Sequence, residues 1–464
     1  MKHTRKYYCI YLIFICLCFS FSCKTKVEKE VYDFEQIKSK GELTIITLNS
    51  STSYFIYKEE PMGYDYDLAQ DFCDHYGLTL NVKIAENTTK LLEMLEKGDG
   101  DLVAFPVPIQ NELKDSISYC GLNQVTHQIL VQSANKGDTI IKEVTGLIGK
   151  EVYVEENTKY HQRLINLNSE LGGGIKIHPV SEDTITSEDL IEMVSLGKIK
   201  YTVCDEYIAK LNRTYYRNID ISLPVSFDQR ASWAIRKDTP KLGKALDEWF
   251  VQNDNTPVYK GITKKYFELS KQPFEGEYKA PKNLPKGTVS IYDDLFKKHT
   301  KGTQYDWHLL AAICYHESRF QNNLTSWAGA AGIMGLMPRT ASSLGLTSED
   351  RMNPDLSIGA AVDLLDRLNK IFRGVNASER TKFILAAYNG GNGHINDAQA
   401  LAEKYGASPY IWEGNVKKYL ELKSNPEYYN DPVCKSGYFR SGETTAYVNN
   451  VLSTIERFKR ISPK

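Results

Sequence analysis

Cysteine is scarce in this chain once its first residues are passed. Four of the nine cysteines lie at or before Cys23, and the other five, Cys73, Cys120, Cys204, Cys314 and Cys434, are scattered and odd in number. That pattern excludes a disulfide framework; a single bridge stays open, and buried free thiols are the default. Histidine and cysteine nowhere cluster at metal-ligand spacing, so no metal and no other cofactor is expected. Formal net charge is −1, which lacks the basic footprint of a nucleic-acid binder. Internal repeats and low-complexity tracts are absent, and no apolar run reaches the roughly 20 residues of a membrane-spanning helix.

What is present begins with an address. Lys2, Arg5 and Lys6 precede an apolar run over 7–21 that ends at Ser22-Cys23. A charged start, a short apolar stretch and a small residue read as a secretory signal. An uncleaved anchor is the alternative, but about 15 apolar residues are short for a span. With Cys directly after Ser22, residues 1–22 resemble a bacterial lipoprotein signal. This implies cleavage before Cys23, acylation of its thiol, and a tether over 23–36. Lys24 stands where an inner-membrane retention Asp is usual, so the resemblance implies an outer-membrane lipoprotein facing the periplasm, held to the membrane by its lipid. For the body, 464 residues with 42% hydrophobic side chains suit two or three domains with real cores.

Helical periodicities dominate after residue 290, over 292–299, 307–320, 339–344, 357–372, 379–388, 395–405 and 447–458. An all-α unit over 288–464 follows, joined to what precedes by 271–287, a Pro-, Gly- and charge-rich linker without a period. On the 307–320 helix, Leu310, Ile313 or Cys314, and Glu317 share one face, so a carboxylate rides on a stripe that would otherwise be buried. Low dielectric disfavours its charged form, which suits a proton donor near neutral pH. The plain alternative is a helix-end Glu that reaches water or pairs with Arg319. Downstream come Ser326, then the stretch 329–341 holding Met334, Gly335 and Met337, then Ala387-Tyr388-Asn389-Gly390, then Glu443 and Tyr447. Singly, each is ordinary: the methionines as core filler, the three-residue glycine steps as close packing, Tyr388-Asn389 as a helix end.

Together and in this order, these motifs resemble the lytic transglycosylases of the soluble-transglycosylase, goose-type lysozyme-like superfamily, over roughly 288–458. The resemblance implies a lysozyme-like fold with Glu317 as the only catalytic acid/base. It assigns substrate contacts to Ser318, Ser326, Met334, Gly335, Met337, Tyr388, Asn389, Glu443 and Tyr447. The implied partner is the peptidoglycan glycan strand, cut between N-acetylmuramic acid and N-acetylglucosamine to leave a 1,6-anhydro end. One departure stands out: Gly335 replaces the Gln usual in the family, so its polar contact is missing or supplied elsewhere. Two other readings remain: a hydrolytic muramidase, which needs a second carboxylate to hold water, and a non-enzymatic solute or muropeptide receptor.

Residues 37–270 read differently. A strand over 41–47 leads through Gly63 into a helix with Asp at its entrance; strand 78–84, helix 91–97 and buried strand 102–105 follow. Such alternation predicts an α/β layer with a largely parallel sheet. The stretch resembles the family 3 periplasmic solute-binding domains, which implies two lobes closing on a small ligand: about 41–131 plus 237–270, and the sequence between. Relatives that bind amino acids hold the ligand carboxylate with an Arg after the strand matching 102–105; the stretch 108–114 has none. Asp205 matches the acid that pairs with the ligand amine, though an Asp ahead of a helix reads equally as an N-cap. The expected ligand is therefore a muropeptide or stem peptide, whose binding changes access to Glu317. The whole is expected to be multidomain: an α/β two-lobed periplasmic-binding-protein-like domain followed by an all-α lysozyme-like domain.

Overall fold

The computed structural model describes residues 32–181, 185–271 and 284–463. The leader, Cys23, most of the tether and most of the linker lie outside the described residues. Two five-stranded sheets carry the α/β half. The first has β1 (Glu42–Leu48), β4 (Thr79–Ala85), β5 (Leu102–Pro108), β6 (Ile117–Thr126) and β12 (Gln229–Arg236) in the order β4-β1-β5-β12-β6. The second has β7 (Gln128–Ser133), β8 (Glu151–Glu155), β9 (Lys176–Val180), β10 (Tyr201–Asp205) and β11 (Ile219–Pro224) in the order β11-β7-β10-β8-β9. A separate hairpin joins β2 (Phe55–Tyr57) to β3 (Glu60–Met62).

Both sheets are mixed rather than largely parallel. β1 runs parallel to β4 and β5, whereas β12 is antiparallel to β5 and β6; β8 is parallel to β9 and β10, whereas β7 is antiparallel to β10 and β11. The cause is the pair of crossings between lobes. β6 passes through His127 directly into β7, so the first crossing falls there, and the chain returns to the first sheet at β12. The lobe divide expected at 131 and 237 is thus displaced at both ends. Only His127 separates the two strands, so no turn or linker in the sequence marks the first crossing.

Each lobe has its own core. Phe72, Trp233, Trp249 and Phe250 centre the first; Leu130, Val152, Leu164 and Val203 centre the second. Gly63, not an Asp, precedes the Tyr64–Tyr76 helix; Asp65 is buried, accepts a hydrogen bond from Trp233 Nε1 at 2.8 Å, and is pushed by burial up to about 6. The helical half forms one continuous core through Phe296, Ile313, Met334, Phe383, Trp412 and Val451. Its main helices are Asp293–Thr300, Trp307–Ser318, Pro338–Ser343, Pro354–Ile371, Ala377–Gly390, Asn392–Lys404 and Gly442–Ile461. Two short ones, Lys417–Leu422 and Pro426–Tyr429, lie where no period predicted them.

The two halves touch at named points. Tyr429 and Asn430 donate to the carbonyls of Asn49 and Glu86 in the first lobe, each at 3.3 Å. Tyr438 donates to Glu188 Oε2 at 2.7 Å, and Arg440 donates to Asn212 Oδ1 and the Tyr216 hydroxyl at 2.8 Å, all in the second. Among the described residues the five cysteines are free, no helix is long and apolar enough to cross a membrane, and no side-chain group could hold a metal ion.

Candidate active-site cleft

Glu317 occupies the last turn of the Trp307–Ser318 helix, whose buried Leu310, Ile313 and Cys314 fix its face against the core. The helix stops because Arg319 and Phe320 adopt left-handed backbone, φ 52° and 61°, two residues short of the expected end. Beyond it the 329–337 loop folds back. Ser318 Oγ donates to the Ile333 carbonyl and Tyr388 to the Met334 carbonyl, both at 2.8 Å, which pins the loop over the acid. Gly335 has φ +61°, and a Cβ there would collide with Glu317 Oε2. A side chain at this position has no room while the carboxylate lies this way.

Above the acid lies a cavity of about 430 Å³, lined by Ser326, Trp327, Gly335, Asn389, Glu443 and Tyr447 from the helical half, with Tyr215, Tyr216 and Lys271 from the α/β half. Asn389 Oδ1 accepts from Thr444 Oγ1 at 2.6 Å, which orients its amide. Burial raises the Glu443 carboxyl above its ordinary value, and neighbouring Glu317 adds to this against the charge of Lys58. The Tyr447 hydroxyl and Glu317 Oε1 are both buried, and the tyrosine faces the Glu317 carboxyl group. Burial, followed by the Glu317 charge, raises Tyr447 well above its ordinary value. His316 leans the other way, its Nε2 at 2.9 Å from Thr454 Oγ1, and burial with Arg319 nearby holds it down at about 4.

Of the residues picked from sequence, Glu317, Ser326, Gly335, Asn389, Glu443 and Tyr447 line this cavity. Ser318, Met334 and Tyr388 sit behind it as buried supports of the loop, because their side chains point into the core. Met337 packs with Met62, Ala328 and Ala330, facing the hairpin instead of the cavity.

That hairpin was not read from sequence pattern, and its tip enters the cleft and walls the cavity on one side. Its turn residues, Lys58 and Glu59, both have positive φ, 48° and 67°, as tight two-residue hairpins require and as non-glycine residues adopt at some cost. Lys58 Nζ lies 3.3 Å from Glu317 Oε2, with the two side chains only 9% and 8% exposed. Glu59 Oε1 accepts from Gly393 N and Glu60 Oε1 from Arg339 N, each at 2.8 Å, and the Ile56 carbonyl accepts from His394 Nε2 at 2.8 Å. Tyr57 lies against Trp327, ring centroids 5.3 Å apart. Glu317 therefore pairs with Lys58 and not with Arg319, which instead donates to the Tyr315 carbonyl. The sequence signal was a charged tip between short apolar arms, 259 positions from its target.

Asp205 sits before the Glu206–Tyr215 helix, but its side chain caps nothing. Its Oδ2 takes Lys159 Nζ at 2.7 Å and the Tyr160 hydroxyl at 3.0 Å, while its Oδ1 is buried.

Family models match both halves: the bacterial extracellular solute-binding proteins, family 3, over 43–269, and the transglycosylase SLT domain over 294–411. The chain is 31% identical over 465 residues to a membrane-bound lytic murein transglycosylase F of Desulfosudis oleivorans, covering 99% of each chain. The chain belongs to the transglycosylase F family. A Pseudomonas putida member of that family is 29% identical over 422 residues, 90% of this chain and 84% of that one. Among solved structures, an ancestral cationic amino acid solute-binding protein matches 50% of this chain and 99% of its own at 19% identity, TM-score 0.45.

Proposed function

We propose that Glu317 is the single acid/base through which this chain, a peptidoglycan lytic transglycosylase of the cell envelope, cleaves glycan strands. The observation that carries the reading is the buried Glu317 carboxylate in the floor of a cavity whose walls are Ser326, Asn389, Glu443 and Tyr447. Glu317 protonates the β-1,4 oxygen as the C1–O bond of N-acetylmuramic acid breaks, and the neighbouring N-acetyl group relieves the developing positive charge. The Glu317 anion then takes the proton of the C6 hydroxyl while O6 bonds to C1, and no water is consumed. Holding the closing ring in place supplies a large part of the rate, since intramolecular reaction can be worth roughly 7–11 kcal/mol.

A hydrolytic reading stands on Glu443, which lies close enough for Glu317 to act on it. Burial favours its neutral form, which suits neither a nucleophile nor a base for water. Digestion of purified sacculi with mass analysis of the ends decides between them: anhydro ends support the transglycosylase, and reducing ends overturn it.

In this conformation the cleft is closed, because the Lys58 hairpin occupies it. We infer that a muropeptide or stem peptide held between the lobes shifts the α/β half and withdraws the hairpin. The contacts of 429–440 with both lobes support this, since any change of lobe angle must strain them. Titration of the full chain with a stem peptide should show binding together with faster sacculus digestion; no binding ends the idea. Acylation of Cys23 and an outer-membrane address complete the proposal, and Cys23→Ala should move the protein from the membrane fraction to the soluble one.

A further inference from the structure

We infer that His394 is a positioning residue that holds the Phe55–Met62 hairpin in the cleft, its ring oriented by a buried Lys423–Asp397 pair. This rests on Glu317 being the reacting acid. Lys423 is fully buried; its Nζ lies 2.6 Å from Asp397 Oδ2 and 3.1 Å from His394 Nδ1. An ammonium can only donate, so Nδ1 accepts and the ring proton must reside on Nε2. That Nε2 donates at 2.8 Å to the carbonyl of Ile56, a residue of the other half of the molecule.

Everything around the ring fixes it. It stacks on Phe439 with centroids 4.2 Å apart and planes 24° from parallel. Asp397 is held in turn by the Lys435 and Ser436 amides at 2.9 and 2.8 Å. Burial, reinforced by the Lys423 charge, keeps the imidazole well below its ordinary value and hence neutral. Buried ion pairs are poor sources of stability, because desolvation offsets their attraction. This one does something packing alone cannot: it selects the tautomer that presents a donor outward. Next to it Gly391, φ +95°, leaves the space into which Glu59 reaches; a Cβ there would stand 2.8 Å from Glu59 Oε1. The grip is on backbone, so it specifies the shape of the turn.

The test compares His394→Gln, whose amide N–H can stand near Nε2, with His394→Asn, which reaches only to Nδ1. Both are made in the full chain. With Glu317→Gln also present, so that no turnover intervenes, hydrogen exchange of peptides covering 54–63 is measured. The Asn chain should exchange about fivefold to tenfold faster there, as expected for one lost buried hydrogen bond, while helices 377–390 and 442–461 keep their protection and the Gln chain matches the parent. With Glu317 intact, the Asn chain should also release glycan fragments faster than the Gln chain. Unchanged exchange of the hairpin in the Asn chain, equal loosening in the Gln chain, or loosening of hairpin and helices together overturns the role. His394→Phe keeps the stacking, loses both nitrogens and carries the same expectation if the Asn chain does not fold. Failure of the Glu317 reading appears separately, as normal turnover in Glu317→Gln, and leaves the exchange result standing.

Discussion

Lys58→Met is the sharpest probe of the closed cleft. Methionine keeps much of the length of the stem and deletes the ammonium, which lies 5.9 Å from the centre of the Tyr57 ring and faces Glu317 at 3.3 Å. A hydrogen bond to a charged group is worth about 1.5–3 kcal/mol. The larger penalty of an orphaned buried charge does not apply in full, because the 430 Å³ cavity beside Glu317 can admit water. The balance between closed and open hairpin should therefore move by roughly tenfold to a hundredfold. Contacts to Gly393, Arg339 and His394 remain, so the hairpin loosens without leaving altogether. The assay is the initial rate of anhydro-ended fragment release from purified sacculi by the full chain, with a thermal melt alongside. A several-fold faster rate without added ligand is expected. An unchanged rate refutes the closed-cleft reasoning, and a slower one makes Lys58 part of the machinery.

Glu317→Gln should fold normally and lose glycan cleavage by at least about 100-fold, the usual contribution of a general acid; near-normal turnover rejects the assignment. Gly335→Ala puts a Cβ against Glu317 Oε2 at a left-handed backbone position, so stability should fall by about 1–3 kcal/mol in a denaturant titration and activity should fall with it. Lys271 is held by burial, with Arg440 adding to it, down to about 7 from an ordinary 10.5. Between those values the unfolded chain carries a proton that the folded protein has shed, so its contribution to stability rises with pH across that window. Lys271→Met should thus look most favourable relative to the parent below pH 7 and lose that advantage toward pH 10, as read from chemical denaturation at a series of pH values.

The helical half was largely legible as sequence because its elements bury one stripe each, and a stripe at helical spacing is a local signal. The exceptions have local causes too. The Lys417–Leu422 and Pro426–Tyr429 helices are too short to show a period, and the Trp307–Ser318 helix ends early at two left-handed residues that nothing in composition marks. Mixed sheets were missed because pairing direction depends on partners far along the chain, which alternation of apolar residues does not encode. At the site, motif order led to residues that converge on one cavity, but it could not separate lining from support. Ser318, Met334 and Tyr388 stand next in sequence to residues that face the cavity and themselves face the core.

By itself the sequence determined which side chains could do chemistry and on what kind of element each is carried: an acid on an apolar helix face, glycines where backbone must turn, a strand-helix half ahead of a helical one. Only tertiary structure decided that the acid is met by a lysine from the other half and that Glu443 comes near it. It alone gave a buried histidine an Nε2 donor for a hairpin carbonyl. Glu317 and Lys58 are 259 positions apart and His394 and Ile56 are 338 apart, and formation of these contacts depends on how two separately folded cores dock. Docking is set by the shape and charge of whole surfaces, and no local pattern of residues carries that information.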